Sequence, residues 1–376
     1  MNYEKKNLIV FGSSVACGEG TKDNFDWASL LAEQLKKRNW NTINKSVGGN
    51  RLKHLLKRVH EDVISLKPDA VIIAASLGNE GILYPFKQFR YNRFLKGIKK
   101  LIELFEANNI RTIITNVYPH ERYTLIEYDY VQKMNLALDV LEVPVINVCG
   151  SIDNLNGNWL DGLYLDSAHP NDEGHLEMMT AFPVSLFDHF DEWMNPMNYN
   201  VDVFKNHVAF PLKFALCDKI RSFTICFDFK SLSNDNFIIL DDSTRIGTFD
   251  NKILITANGK KEILLDNSYG LHHFTVNHHP YPKEVNIYID NEIVYTIKEK
   301  VLNIDNLVLE GQNTLLDNIL FYRGRLSDKI QQMVFSKKVY KSSLEIFSTS
   351  DDFDVNQHLF RNQASTDSCI KVIVER

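Results

Sequence analysis

The chain holds only five cysteines, Cys17, Cys149, Cys217, Cys226 and Cys369, an odd and scattered set without a C-x-x-C pair. That scarcity excludes a disulfide framework and offers no zinc-ligand spacing, so a reducing compartment and a cytoplasmic location are expected. Long apolar runs are missing as well: none approaches the roughly 18 residues that cross a bilayer, and no membrane partner is expected. Residues 1–6 lead straight into the short apolar stretch 7–11, too brief for a secretory h-region and without a small-residue cleavage site. It reads as a first buried strand. A basic surplus is also absent, with 42 Lys and Arg against 48 Asp and Glu and a formal net charge of -6. The counterion release on which general nucleic-acid binding depends is therefore not available, and nucleic acid is excluded as a partner. Tandem repeats and low-complexity tracts are lacking too.

What is present is globular. Hydrophobic residues make up 44% and charged residues 24% of 376, and such a length exceeds the about 250 to 300 residues that one core usually supports. Two domains are expected, residues 1–195 and 196–376. In the first, apolar runs at 8–11, 42–44, 70–75, 112–116 and 145–148 alternate with amphipathic patterns at 27–38, 51–66 and 91–108. This alternation predicts an α/β domain of five βα units, a parallel sheet covered by helices. In the second, β-rich runs bounded by Asn, Asp and Gly take over, at 223–229, 237–240, 252–256, 273–276, 285–289, 293–297, 318–322, 344–347 and 370–374. With one helical pattern at 326–335, they predict an all-β antiparallel sandwich.

The first run ends in Gly12-Ser13-Ser14-Val15-Ala16-Cys17-Gly18, a small-residue turn that presents Ser14 at the carboxyl edge of the sheet, where open α/β sheets bind ligands. A serine hydroxyl is a weak nucleophile and needs both a base and a group to orient that base. Asp166-Ser167-Ala168-His169-Pro170 offers both. A carboxylate three residues ahead of a histidine can reach its Nδ1 and leave Nε2 facing outward. Alone, the Gly-Ser-Ser turn reads as a capping serine and Asp166 with His169 as a loop pair. Their joint placement at the two ends of one α/β domain favours a serine-hydrolase site.

These segments resemble the blocks of the SGNH/GDSL hydrolases. Gly12-Ser13-Ser14 stands where that family usually has Gly-Asp-Ser, and Asp166 to Pro170 matches its last block, Asp-x-x-His-Pro. The resemblance implies a three-layer, flavodoxin-like fold with Ser14 as nucleophile, His169 as general base and Asp166 as the acid that orients it. It also implies an oxyanion hole built from the backbone amides of Ser14 and Gly49, in Asn44-Lys45-Ser46-Val47-Gly48-Gly49-Asn50, and the side-chain amide of Asn79. The third block departs from the family's Gly-x-Asn-Asp: it reads Gly78-Asn79-Glu80, one residue shorter, which predicts a displaced Asn79. Tyr118-Pro119 and Asp172-Glu173-Gly174-His175 also fall in family-like places. No metal or organic cofactor is implied.

The C-terminal half resembles a concanavalin A-like (laminin-G-like) jelly roll, on Phe223 to Phe229, Val285 to Val294 and Leu320 to Ser327. Modules of that kind often bind glycans, which implies a small-molecule or glycan ester as substrate, with acetyl as the acyl group. Glycan O-acyltransfer through the same acyl-enzyme, or glycan binding by a chain with an inactive hydrolase domain, are the alternatives. A structural role for the second domain, including homo-oligomer formation, stands beside these. His272, His273, His278 and His279 are read as strand-end residues facing solvent rather than as metal ligands, and Cys17 as a small buried hydrophobe.

Overall fold

The structure, a computed structural model, describes residues 5–193, 197–199, 211–266, 270–310, 314–354 and 356–373. It divides into two compact units, Met1–Met194 with Lys341–Ser343, and Asn195–Tyr340 with Leu344–Arg376.

The first unit is built in the order β1 (Lys6–Gly12), α1 (Ser14–Cys17), α2 (Trp27–Lys36), β2 (Trp40–Asn44), α3 (Leu52–Asp62), β3 (Ala70–Ala74), α4 (Lys87–Glu106), β4 (Arg111–Thr115), α5 (Leu125–Asp139), β5 (Val145–Ile146) and α6 (Asp172–Thr180). All five strands are parallel, in the spatial order β2-β1-β3-β4-β5. Leu8, Ile9, Val10 and Phe11 are fully buried. A central parallel strand is covered on both faces, so its sequence is a continuous apolar run rather than an alternation. Ile9, Phe11, Val71 and Ile73 share one core with Leu55, Leu101 and Val131 of α3, α4 and α5, while α2 packs on β2 and on α6.

Several expected elements differ in extent. The helix expected at 51–66 breaks after Asp62, where Val63 leaves helical geometry with φ -128°. That expected at 91–108 starts one turn earlier, at Lys87. The strand expected at 145–148 stops at Ile146, because the Cys149 amide turns back to Asn116 Oδ1 (2.9 Å) and opens a short 3-10 turn. Residues 341–343 join this unit through the buried Asp139 carboxylate, which accepts from the Ser342 amide (2.8 Å) and hydroxyl (2.7 Å).

Helix α5 begins with a capping box in which Thr124 and Glu127 satisfy each other's amides, and Lys87 Nζ lies 2.6 Å from Glu127 Oε1. Burial alone would raise the Glu127 carboxyl, but Lys87 and Thr124 overcome this and hold it down at about 2. The folded value lies below the unfolded one, near about 4.3. Its contribution to stability is therefore complete above that unfolded value and is lost as pH falls through the folded one. Glu127→Gln is expected to cost about 1 to 2 kcal/mol at pH 7 in urea unfolding. The gap to wild type should close as pH falls from about 4.3 toward 2.

In the second unit the described strands form two antiparallel sheets. One has nine, ordered Lys260–Leu265, Lys252–Ala257, Thr244–Phe249, Asp235–Asp241, Val308–Leu309, Leu212–Ala215, Cys369–Val372, Leu359–Phe360 and Phe353–Asp354. The other has six, ordered Glu292–Ile297, Glu284–Ile289, His272–His279, Phe223–Ser231, Thr314–Arg323 and Leu344–Ser348. Phe227, Phe274 and Ile287 of the six-stranded sheet meet Phe237, Ile246 and Ile255 of the nine-stranded one in a single core. The only helix of four or more residues among the described residues of this unit, α7 (Asp328–Phe335), starts two residues later than expected. Of the expected strand 370–374, residue 374 lies outside the described residues.

The histidine expectation is corrected here. His272 to His279 form one strand, and His273, His278 and His279 are buried. Both faces of this strand are covered, so alternation does not send every second residue to water. His278 lies on the core side with Phe274 and Val276, its ring 4.8 Å from Phe223, and its Nε2 accepts from the Leu302 amide (3.0 Å). On the opposite side, His273 Nδ1 bonds Asp228 Oδ1 (2.9 Å) beneath Phe335 of α7.

Candidate active site

Ser14 opens α1 directly after β1 and is 7% exposed. Ser13, in the place of the family aspartate, is fully buried, and its amide donates to Ala74 O (3.1 Å). The Tyr118 phenol faces the Ser76 and Ser13 hydroxyls, and burial pushes it up to about 12. A carboxylate at position 13 would be desolvated in this spot, at a greater cost than the smaller, uncharged hydroxyl.

Asp166 and His169 are brought together by their own loop. The Asp166 carboxylate accepts from the amides of Ala168 (2.7 Å) and His169 (2.9 Å), and His169 Nδ1 lies 3.0 and 2.9 Å from its two oxygens. Burial would raise the Asp166 carboxyl, but the His169 ring and the Ala168 amide hold it below the usual carboxylate range. An ionised Asp166 can only accept, so Nδ1 donates and Nε2 is the atom left for chemistry.

That nitrogen does not face outward as expected. Glu19 Oε2 lies 3.2 Å from His169 Nε2, and among the described residues no hydrogen bond joins Ser14 to His169. Glu19 connects the two by another route, because its backbone amide donates to Ser14 O (3.0 Å). Catalytic hydrogen bonds are often formed only once substrate is present.

The two expected oxyanion segments are tied to each other. Asn79 Nδ2 donates to Asn50 O (3.2 Å), and Glu80 Oε1 accepts from the Leu52 amide (2.6 Å) at the start of α3 while Oε2 pairs with Arg93 Nη2 (2.8 Å). One Asn79 amide hydrogen is thus committed to the turn that carries Gly49. The second has no protein acceptor among the described residues. Gly49 has a φ of +68° and open space on its Cβ side.

Three residues outside the motifs shape this face. Arg58 of α3 donates to Asn50 Oδ1 (3.0 Å), Lys45 O (2.7 Å) and Gly12 O (3.4 Å), so one guanidinium stitches the ends of β1 and β2. His120 follows Tyr118 and Pro119 after β4; burial, with Arg122 nearby, lowers it to about 4, so it stands neutral beside the Asp166 carboxylate. Glu19 is the third. The signal for His120 was its place just past a strand end, whereas Arg58 and Glu19 carry no local signal. No group of three or more metal-ligating side chains occurs among the described residues. A cleft of about 880 Å³ lies at the opposite, amino end of the sheet, between Arg111, Thr112 and Pro144, and none of the site residues lines it.

A parallel sheet of order 2-1-3-4-5 is the flavodoxin-like arrangement, and a serine turn and an Asp–His loop stand at its carboxyl edge, where such sheets bind ligands. Residues 10–176 match the GDSL-like Lipase/Acylhydrolase family, so the N-terminal part of the chain is a GDSL/SGNH hydrolase domain. Among solved structures, the chain is similar to an acetylxylan esterase from Geobacillus stearothermophilus, in a catalytic-mutant form, at 16% identity over 47% of this chain and 92% of that one, with a TM-score of 0.41. It is also similar to a protein described as an acylhydrolase from Bacteroides fragilis, at 22% identity over 48% and 86%, with a TM-score of 0.39. A protein described as lipolytic, of the G-D-S-L family, from Desulfitobacterium hafniense gives 20% identity over 47% and 97%, with a TM-score of 0.41. No curated protein sequence matches the chain. No described helix is long and apolar enough to cross a membrane.

Proposed function

We propose that the chain is a serine esterase that removes O-acyl groups, acetyl foremost, from a carbohydrate. The observation that carries this reading is the Asp166–His169 pair, bonded at 2.9 Å, on the same sheet edge as Ser14 in a GDSL-type domain. Ser14 Oγ attacks the ester carbonyl as His169 Nε2 takes its proton, and the amides of Ser14, Gly49 and Asn79 hold the oxyanion. His169 then returns the proton to the departing sugar oxygen, leaving acetyl on Ser14. Water attacks the acetyl carbon, its proton passes to Nε2, and acetate leaves with Ser14 restored. No step needs a metal or an organic cofactor.

The sugar side of the reading is supported by the resemblance of the C-terminal unit to concanavalin A-like jelly rolls. A reducing, cytoplasmic setting is supported by five cysteines that are all free. The experiment is acetate release from an acetylated oligosaccharide, with a fluorophosphonate probe to mark the nucleophile. Release of acetate and a single probe adduct on Ser14 are expected. An adduct on another residue, or none, sinks the assignment.

A further inference from the structure

The GDSL-type site carries one carboxylate that a serine esterase does not need, and it sits on the atom the esterase needs most. Glu19 Oε2 lies 3.2 Å from His169 Nε2. At this ion-pair distance the Nε2 edge of the ring faces a carboxyl oxygen rather than the Ser14 hydroxyl.

Oε1 of the same carboxyl lies where a Cβ on Gly48 would approach it to 1.9 Å, so the glycine at 48 leaves this orientation of Glu19 open, where a larger residue would turn the side chain aside. Glu19 therefore reaches from the turn that carries Gly49 to the catalytic histidine. Its backbone is held on both sides. The Glu19 amide bonds Ser14 O (3.0 Å), Thr21 Oγ1 bonds Asp172 Oδ1 (2.6 Å), and Lys22 Nζ pairs with Asp172 Oδ2 (3.0 Å). Gly20 lies against His169 and Pro170 with a φ of +99°, which glycine alone adopts easily. The loop is thus tied to Ser14 and Asp172, while the Glu19 side chain is 48% exposed.

We propose that Glu19 is a specificity-determining gate: at rest it occupies His169 Nε2, and it yields to neutral or cationic esters while repelling anionic ones. This rests on the serine-esterase reading above. A partly exposed pair is weak, so a neutral substrate displaces it at little cost. An anionic group in the same space meets an uncompensated like charge, which is discrimination by repulsion.

The test uses the full chain as wild type, Glu19→Gln and Glu19→Ala. The readouts are kcat/KM for p-nitrophenyl acetate and mono-p-nitrophenyl succinate, the rate of fluorophosphonate labelling at Ser14, and the ¹⁵N signals of the His169 ring. Both variants should raise the succinate-to-acetate ratio about tenfold, label Ser14 several-fold faster and shift the Nε2 signal. An unchanged ratio and labelling rate in an enzyme whose wild type labels at Ser14 would overturn the gate and leave the esterase reading intact. If Ser14 stays unlabelled in all three proteins while the Nε2 signal shifts, the esterase reading falls, and the selectivity role with it.

Discussion

Ser14→Ala is expected to lower kcat for p-nitrophenyl acetate by about four to six orders of magnitude, with KM and the circular dichroism spectrum unchanged. The size follows from the role. Without Ser14 Oγ there is no acyl-enzyme, and only oxyanion stabilisation and binding remain to accelerate attack by water. KM should hold because the Ser14 hydroxyl makes no hydrogen bond among the described residues that a substrate or the fold would miss. Cys17, three residues on, cannot take over. Burial, and then the Glu19 carboxylate, push its thiol above the ordinary value and keep it protonated. Asp166→Asn tests the orienting role separately: it would leave an amide facing His169 Nδ1, allow the wrong tautomer, and lower kcat by about 10⁴. A loss of less than tenfold on Ser14→Ala would remove the serine from the chemistry.

The second large effect is one of stability and lies in the sandwich. Asp228 is buried under α7, where Oδ1 faces His273 Nδ1 (2.9 Å) and the Lys337 ammonium, and Oδ2 accepts from Asn318 Nδ2 (2.8 Å). Burial alone would raise this carboxyl, but His273 and Lys337 more than compensate and hold it below the usual range. Asp228→Ala leaves two buried donors, His273 Nδ1 and Asn318 Nδ2, without their acceptor, while the partly exposed Lys337 ammonium can turn to water. The expected cost is about 2 to 4 kcal/mol, or roughly 4 to 16 °C in the Tm of a unit this size. Asp228→Asn, which keeps acceptor and shape, should cost less. The depressed pKa also sets a sign: the contribution is full above the unfolded value near about 3.9 and is lost as pH falls below it. Calorimetry at pH 7 and pH 3 reads both effects. A transition moved by under 2 °C, about 1 kcal/mol or less, would mean that the network relaxes or admits water.

Legibility in the sequence followed the range of the forces involved. The central parallel strands are legible because burial on both faces writes a continuous apolar run, as in Leu8 to Phe11. Helix α5 carries a local start signal in Thr124-Leu125-Ile126-Glu127, a capping box. The strand Lys260–Leu265 hid because an edge strand with an exposed Lys-Lys-Glu start resembles a loop in composition. His273 and His278 were misplaced for the opposite reason. Period 2 gives the side of the sheet but not what covers it, and here a core lies on one side and α7 on the other.

At the candidate site the same division holds. Sequence alone determined the local parts: the serine turn after a strand, and a carboxylate three residues before a histidine, which chain geometry brings within hydrogen-bond reach without help from the rest of the fold. Tertiary structure decided which atom faces His169 Nε2, how Arg58 ties two strand ends, and where Asn79 spends one of its amide hydrogens. These are pairings between residues 13 to 150 positions apart. Their partners are chosen by how the sheet edge folds its loops together, and a polar side chain's sequence neighbours do not encode that choice.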